Sequence, residues 1–239
     1  VRTEFAFLSG LAAESLGVHR FNPYRRLGRQ GVATLATFLR RRGYRTICVH
    51  PYAASFYSRH TVFPLLGFDE FIDIRAFAGA AREGPYVSDL AVAEQVAALL
   101  EKAAGQPVFV FVITMENHGP LHLEKIAPGD EERLYSVPPP PGCDDLTVYL
   151  RHLVNADRMA GRLRAVIDGL PGPACLCWFG DHVPIMPGAY HALGVPDGRT
   201  DYLIWRKGDR PGAAAPREMR IDELGGHILQ QMGLLAARE

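Results

Sequence analysis

Three histidines in this chain stand directly after apolar runs. His50 follows the run at 45–49, His118 follows 107–114, and His182 follows 174–179 with Asp181 beside it. Imidazole nitrogen and carboxylate oxygen together suit a divalent cation such as Mn²⁺ or Zn²⁺. Neighbouring residues on an extended strand point apart, so Asp181 and His182 share one ion only where the backbone turns, and Pro184 fits such a turn. A lone histidine at such a place is more often a satisfied structural residue. Three at the same kind of position, one of them next to a carboxylate, favour a site.

The stretch after His50, Pro51-Tyr52-Ala53-Ala54-Ser55-Phe56-Tyr57-Ser58-Arg59-His60, mixes aromatics with one guanidinium. Arginine suits bidentate phosphate binding, and an aromatic beside it packs on an apolar or sugar-like part of a ligand. The plain alternative is a loop whose aromatics cover the end of a sheet. Glu116 and Asn117 flank His118 and either orient it or build a turn. His19, His60, His122, His152, His191 and His227 read as surface or structural residues, and Asp157 and Arg158 as surface or helix-packing ones.

Alternating elements must hold these residues. Helical spacing with a basic end and a glycine stop predicts a helix over 34–42. An apolar strand over 45–50 follows, then a helix over 88–102 with Ser88 as its cap. Strands are predicted at 107–114, 174–179 and 201–205, and helices at 144–167 and 220–232. Unbroken apolar strands between helices indicate an α/β fold, a mostly parallel central sheet sandwiched by helices. Ligands of such sheets gather at the carboxyl ends of strands, where all three histidines fall. The proline-rich segment 137–142 reads as a surface loop, not a domain boundary.

Composition narrows the classes. The 239 residues fit one large domain, and 26 Lys+Arg against 26 Asp+Glu leave no basic field for nucleic acid. No run of about 18 apolar residues is present. Cys175 and Cys177 alternate with Leu176 and Trp178, so they share a strand face and read as small core residues. No signal peptide is seen, and the chain opens on Val1 inside an apparent element. A piece of a longer protein is the expectation.

Five ordered stretches, RTEFAFLSG, HPYAASFYSR, LLGFDEF, ITMENHGP and FGDHVP, carry a family resemblance. They resemble the sulfatase-fold domain of lipoteichoic acid synthase-type phosphoglycerol transferases, in the alkaline phosphatase superfamily, whose relatives include proteins of capsular polysaccharide synthesis. The resemblance implies that 1–239 is the C-terminal portion of a single sulfatase-like catalytic domain, with its N-terminal part missing. It assigns Asp181 and His182 to a catalytic divalent metal, usually Mn²⁺ in this branch, with Mg²⁺, Ca²⁺ or Zn²⁺ as alternatives. It assigns His50, Arg59 and His118 to the phosphoglycerol headgroup, with Tyr57 standing where better-known members carry tryptophan. The nucleophile it implies is a threonine immediately before Val1; Thr3 has the wrong spacing. A further acidic metal ligand and a central strand are implied upstream as well.

The mechanism so implied is attack by that threonine on a phospholipid headgroup, followed by transfer to a glycan or polymer acceptor, with His118 moving protons. The parent would sit in the cell envelope, anchored in the cytoplasmic membrane by upstream helices with this domain outside. Two other functions stay open on the residues: hydrolysis of a sulfate or phosphate ester, and non-catalytic binding of an anionic glycan.

Overall fold

The computed structural model describes residues 1–103, 105–210, 212 and 215–236. In chain order, α1 is Arg2–Ser9, α2 Leu35–Arg40, β1 Arg45–Val49, α3 Arg59–Leu65 and β2 Glu70–Ile72. A short hairpin of β3 (Arg82–Glu83) and β4 (Tyr86–Val87) precedes α4 (Asp89–Lys102) and β5 (Val108–Val112). Then come α5 (Asp130–Leu134), α6 (Asp144–Gly169), β6 (Cys175–Phe179), α7 (Pro187–Leu193), β7 (Tyr202–Arg206) and α8 (Ile221–Gln231).

Local chemistry sets several of these boundaries. The Thr34 hydroxyl accepts from the Thr37 amide at 3.1 Å, while Thr37 Oγ1 accepts from the Thr34 amide at 2.8 Å. Two donors that a helix start leaves bare are thereby satisfied at α2. Ser88 caps α4 as expected, its hydroxyl accepting from the Ala91 amide at 3.2 Å. After α3 the chain turns through Gly67 at φ 97°, where a Cβ would lie 2.8 Å from the Thr37 nitrogen. Only glycine meets both demands. The proline-rich 137–142 lies outside any helix or strand, as predicted.

β1 is the middle strand, parallel to β2 on one side and to β5 on the other. One face is covered by α1, α2, α3 and α8, where Cys48 and Phe111 pack with Phe5, Phe7, Phe63 and Leu224. The other is covered by α4 and α6, where Ile47 and Val49 meet Val92, Val96, Met159 and Leu163. This is the expected parallel sheet between helices. The strand predicted over 201–205 is present as β7, but it runs antiparallel to β6 in a separate two-stranded ladder.

The two ladders share their layers. Phe109, Phe111 and Ile113 sit in the first core with Cys177 and Phe179. Val108, Val110 and Val112 sit in the second with Leu176 and Trp178. The period-two alternation of both segments therefore runs in phase. Phe7 bridges them, its ring 5.8 Å from Phe111 and 4.7 Å from Phe179. Among the described residues β5 and β6 each pair along one edge only, and both line a cavity of about 1640 Å³. Burial pushes the Cys175 thiol up to about 11 and Cys177 to about 12; both are half-buried and line the cavity, and Cys177 packs against the first core. No described helix is long and apolar enough to cross a membrane.

Phe63, fully buried on α3, contacts the rings of Tyr24, Phe68 and Phe71 at 5.5, 5.4 and 5.4 Å. Phe63→Ala should lower the unfolding free energy by about 3–5 kcal/mol, read as a shift of the urea midpoint. A loss below about 1 kcal/mol would mean that this cluster does not hold α3.

Candidate active site

The segments that follow β1, β5 and β6 converge on one end of the large cavity. Glu4, Tyr57, Arg59, His118, Asp181 and His182 all lie on its wall. His50 does not; it is fully buried behind them.

Arg59, the first residue of α3, is 2% exposed and Glu4 of α1 is 4% exposed. Arg59 Nη2 donates to both Glu4 oxygens, at 2.8 and 3.1 Å. Tyr24 Oη donates to Glu4 Oε2 at 2.7 Å, and the Val1 amino nitrogen donates to Oε1 at 2.8 Å. Burial alone would raise the Glu4 carboxyl, but the Arg59 charge and these hydrogen bonds outweigh it and lower its pKa. Arg59 Nη1 lies 3.2 Å from His50 Nε2, and His50 Nδ1 lies 3.0 Å from the Ile113 carbonyl. A carbonyl only accepts, so Nδ1 carries the proton and Nε2 accepts from Arg59. His50 is thus neutral, and burial with the adjacent Arg59 charge brings its pKa down to about 4. Both ring nitrogens of His50 are thus used inside the protein, one on the Ile113 carbonyl and one on Arg59.

The segment before α3 is strained. Tyr57 and Ser58 both adopt left-handed backbone, φ 52° and 53°, which costs of order 1–3 kcal/mol for a non-glycine residue and clusters at functional positions. It brings the half-exposed Tyr57 ring to 5.4 Å from the Arg59 guanidinium, with Phe56 at 5.5 Å. Both distances are within cation–π range. The Tyr57 ring therefore stands beside Arg59 on the cavity wall.

His118 is presented differently. Its Nδ1 donates to the Gly119 carbonyl at 2.8 Å, and Tyr86 Oη donates to the same oxygen at 3.0 Å. The proton on Nδ1 leaves Nε2 with a free lone pair. Glu116 does not orient the His118 ring. It is fully buried and accepts from the Asp89 amide at 2.6 Å, from Asn155 at 2.8 Å and from His152 Nδ1 at 3.1 Å. The loop that carries His118 is thereby pinned to α4 and α6. His152 is buried too, its Nε2 donating to Glu124 at 3.1 Å. Burial lowers its pKa, the two carboxylates more than reverse this, and the net direction is up.

Asp181 and His182 are the exposed members. Asp181 Oδ2 lies 3.7 Å from His182 Nε2, close to the separation of about 3.4 Å for two ligands bonded at about 2.1 Å to one tetrahedral ion. His182 Nδ1 donates to the Val183 carbonyl at 2.8 Å, which leaves Nε2 free in the manner of a metal-binding histidine. The pair fits a divalent ion as two donors of a larger set. Among the described residues no group of three or more His, Cys, Asp or Glu is assembled for a metal. Thr3 Oγ1 donates to the Asp181 carbonyl at 2.6 Å, tying the first turn of α1 to this loop.

The Sulfatase family model matches residues 1–234. The chain belongs to the sulfatase family. It is 35% identical over 237 residues to the capsular polysaccharide biosynthesis protein RkpI of Rhizobium meliloti (strain 1021), covering 97% of this chain and 41% of that protein. It is 26% identical over 215 residues to a putative cyclic β-1,2-glucan modification protein of the same organism, covering 90% and 33%. The chain therefore spans less than half the length of these relatives.

Its fold matches lipoteichoic acid synthase LtaP from Listeria monocytogenes with TM-score 0.72 and 18% identity, over 98% of this chain and 60% of that one. Streptococcus pyogenes phosphoglycerol transferase GacH, in complex with sn-glycerol-1-phosphate, matches with TM-score 0.72 and 20% identity, over 95% and 60%. A Vibrio parahaemolyticus protein of the alkaline phosphatase superfamily matches at 0.67 and 20%, over 97% and 54%. The chain shares its fold with these three structures, and proteins of the sulfatase family are commonly transferases or hydrolases and generally use divalent metals.

The neutral His50 generates a pH prediction. Its folded pKa of about 4 lies below the ordinary 6.5, so the unfolded chain binds more protons between those values. The stability this histidine contributes is present above pH 6.5 and is lost as pH falls through about 4, with a ceiling of about 3 kcal/mol. His50→Gln should flatten the stability profile across that window in denaturant titrations. An equally steep profile would assign the acid sensitivity elsewhere.

Proposed function

We propose that this chain carries the phosphate-binding and proton-transfer part of a metal-dependent transferase, one that moves a phosphoglycerol-type group from a phospholipid to a glycan or polymer hydroxyl. The observation that carries the reading is Arg59. It is a guanidinium buried on the cavity wall, held by Glu4 and His50, whose Nε–H has no hydrogen-bond partner among the described residues. A buried donor left unpaired costs about 1–3 kcal/mol, so an anionic ligand that pairs with it recovers that energy. Relatives support the choice of anion: one structural match is a phosphoglycerol transferase with glycerol phosphate bound, and one sequence relative acts in capsular polysaccharide biosynthesis.

In this reading Arg59 receives the phosphoryl oxygens and neutralises the charge that builds on them. Tyr57 packs against the alcohol portion of the headgroup. His118 Nε2, free because Nδ1 is engaged with Gly119, takes the proton of the acceptor hydroxyl or returns one to the departing alcohol. Asp181 and His182 would hold the divalent ion, Mn²⁺ in our proposal, with further ligands from outside this chain. When bound, the ion polarises phosphoryl oxygens and makes a hydroxyl more acidic. The attacking hydroxyl is proposed to come from a threonine preceding Val1, next to the α1 turn that Thr3 ties to Asp181. Thr3 keeps a docking role, since its proton is given to the Asp181 carbonyl. The location belongs to the same proposal: a cell-envelope domain outside the cytoplasmic membrane, anchored by helices of the longer protein.

The test is transfer by the full-length protein from labelled phosphatidylglycerol in defined divalent metal. Asp181→Ala should abolish metal-dependent turnover, and Arg59→Ala should lower kcat/KM by about 10²–10³-fold. Metal-dependent turnover that survives both changes would refute the assignment. Release of glycerol phosphate to water alone, with no acceptor used, would make the same residues those of a phosphodiesterase.

A further inference from the structure

Glu4, which holds Arg59, is among the almost fully buried carboxylates of the described residues. It lies in the first turn of α1, on the same helix side as Leu8, one turn on. Its two oxygens meet three separate donors: Arg59 Nη2 on both, Tyr24 Oη on Oε2 and the Val1 nitrogen on Oε1. On the far side of the guanidinium, neutral His50 accepts from Nη1, and its own ring is fixed by the Ile113 carbonyl. A guanidinium is flat, and bonds to Nη1 and Nη2 from opposite partners fix both its position and its rotation. What remains unspent is the buried Nε–H and the second Nη1–H, on a residue that lies on the cavity wall.

Such a carboxylate has two opposed effects on anion binding. It lowers the net charge that an anion meets, which weakens attraction. It also holds the long arginine side chain in one rotamer and one orientation before the ligand arrives, which spares the ordering cost of binding. Burial decides between them. An unpaired guanidinium at 2% exposure would leave its place for solvent or for another partner, so without Glu4 the donors would no longer stand at the cavity.

We infer that Glu4 is the positioning residue of the phosphate subsite: through the Glu4–Arg59–His50 clamp it fixes the rotation of the guanidinium, so that its remaining donors face a phosphoryl group. The inference rests on Arg59 being the phosphate-binding residue proposed above.

A double-substitution cycle on affinity tests it, with sn-glycerol 1-phosphate as the probe, titrated into the protein by calorimetry. Glu4→Gln keeps the shape and removes the charge; Arg59→Lys keeps a charge and removes the fork. Each alone should weaken binding by about 10–100-fold, the scale on which supporting partners act on the groups they hold. In the Arg59→Lys background, adding Glu4→Gln should change the affinity by less than about twofold, because there is no longer a fork to orient. The Arg59 Nε–H cross-peak in a ¹H–¹⁵N spectrum, sharp in the unsubstituted protein, should broaden in Glu4→Gln.

Glu4→Gln binding as tightly as the unsubstituted protein, or more tightly, overturns the inference, as do losses that multiply in the double variant. Arg59→Lys binding unchanged overturns the phosphate reading itself, and that result is distinguishable from the other two. Should Glu4→Gln fail to fold, Tyr24→Phe removes one donor from the carboxylate. It should then give a loss of about two- to fivefold with unchanged circular dichroism; no loss there overturns the inference as well.

Discussion

A buried positive charge that must be neutralised inside the protein organises this end of the molecule. Arg59 is at the start of α3, and its charge is met by Glu4 from α1, 55 residues earlier. Removing one member of a buried pair leaves the other uncompensated, a cost of about 3–5 kcal/mol. That energy ties together α1, α3, the end of β1 through His50, and the segment around Tyr24. It also explains how two successive left-handed residues, Tyr57 and Ser58, persist directly before α3. Strain of this kind survives where the surroundings over-determine the backbone. Here the ion pair holds one end of the segment and the Phe63 cluster holds the helix that follows.

A second buried carboxylate works by the same logic on the next strand end. Glu116 gathers the Asp89 amide, Asn155 and His152 at once, which fixes the start of the loop that carries His118. After β6 the buried carboxylate Asp145 anchors Gly188 and Ala189 further along, while Asp181 and His182 themselves stay at the surface. The side chains of Asp181 and His182 are 45% and 60% exposed; His182 Nδ1 donates to the Val183 carbonyl, and Asp181 is tied by its own carbonyl, which accepts from Thr3. The site is therefore graded. Its Arg59 side is held by a buried ion pair, and its Asp181–His182 side is open to solvent. Catalysis of phosphoryl transfer depends chiefly on positioning and electrostatics, and a pre-oriented cationic half suits that demand.

Much of this was legible in the chain itself. Unbroken apolar runs marked the strands; the strand ends singled out His50, His118, Asp181 and His182, the aromatic loop singled out Arg59, and all of these but His50 line one cavity. The antiparallel direction of β7 was not legible, because strand direction depends on where the chain returns and not on strand composition. Nor was the role of Glu4, although a signal existed. It lies at the start of an apolar helical stretch with Phe5 and Leu8, and a carboxylate on a buried helix face requires a cationic partner. His152 gives the same signal on α6, in line with Val148, Ala156, Met159 and Leu163. Its reading as an ordinary structural residue overlooked that both ring nitrogens would need carboxylates. In each case the residue was visible, but its partner lay 36 or 55 positions away, beyond what local periodicity encodes.

The eight residues of α1 show why packing and chemistry cannot be separated here. Phe5 and Leu8 bury the helix in the core, and burial of such side chains contributes about 1.5–3 kcal/mol each. Phe7 lies between Phe111 of β5 and Phe179 of β6, so the same helix spans the two ladders. Its first turn then makes both polar links to the site: Glu4 to the guanidinium and Thr3 to the Asp181 carbonyl. A helix this short has little stability of its own, and tertiary contact must supply it. The separation of Arg59 from the Asp181–His182 pair is therefore set by how three apolar side chains seat in the core. A change in that packing reaches the chemistry through a single turn of helix.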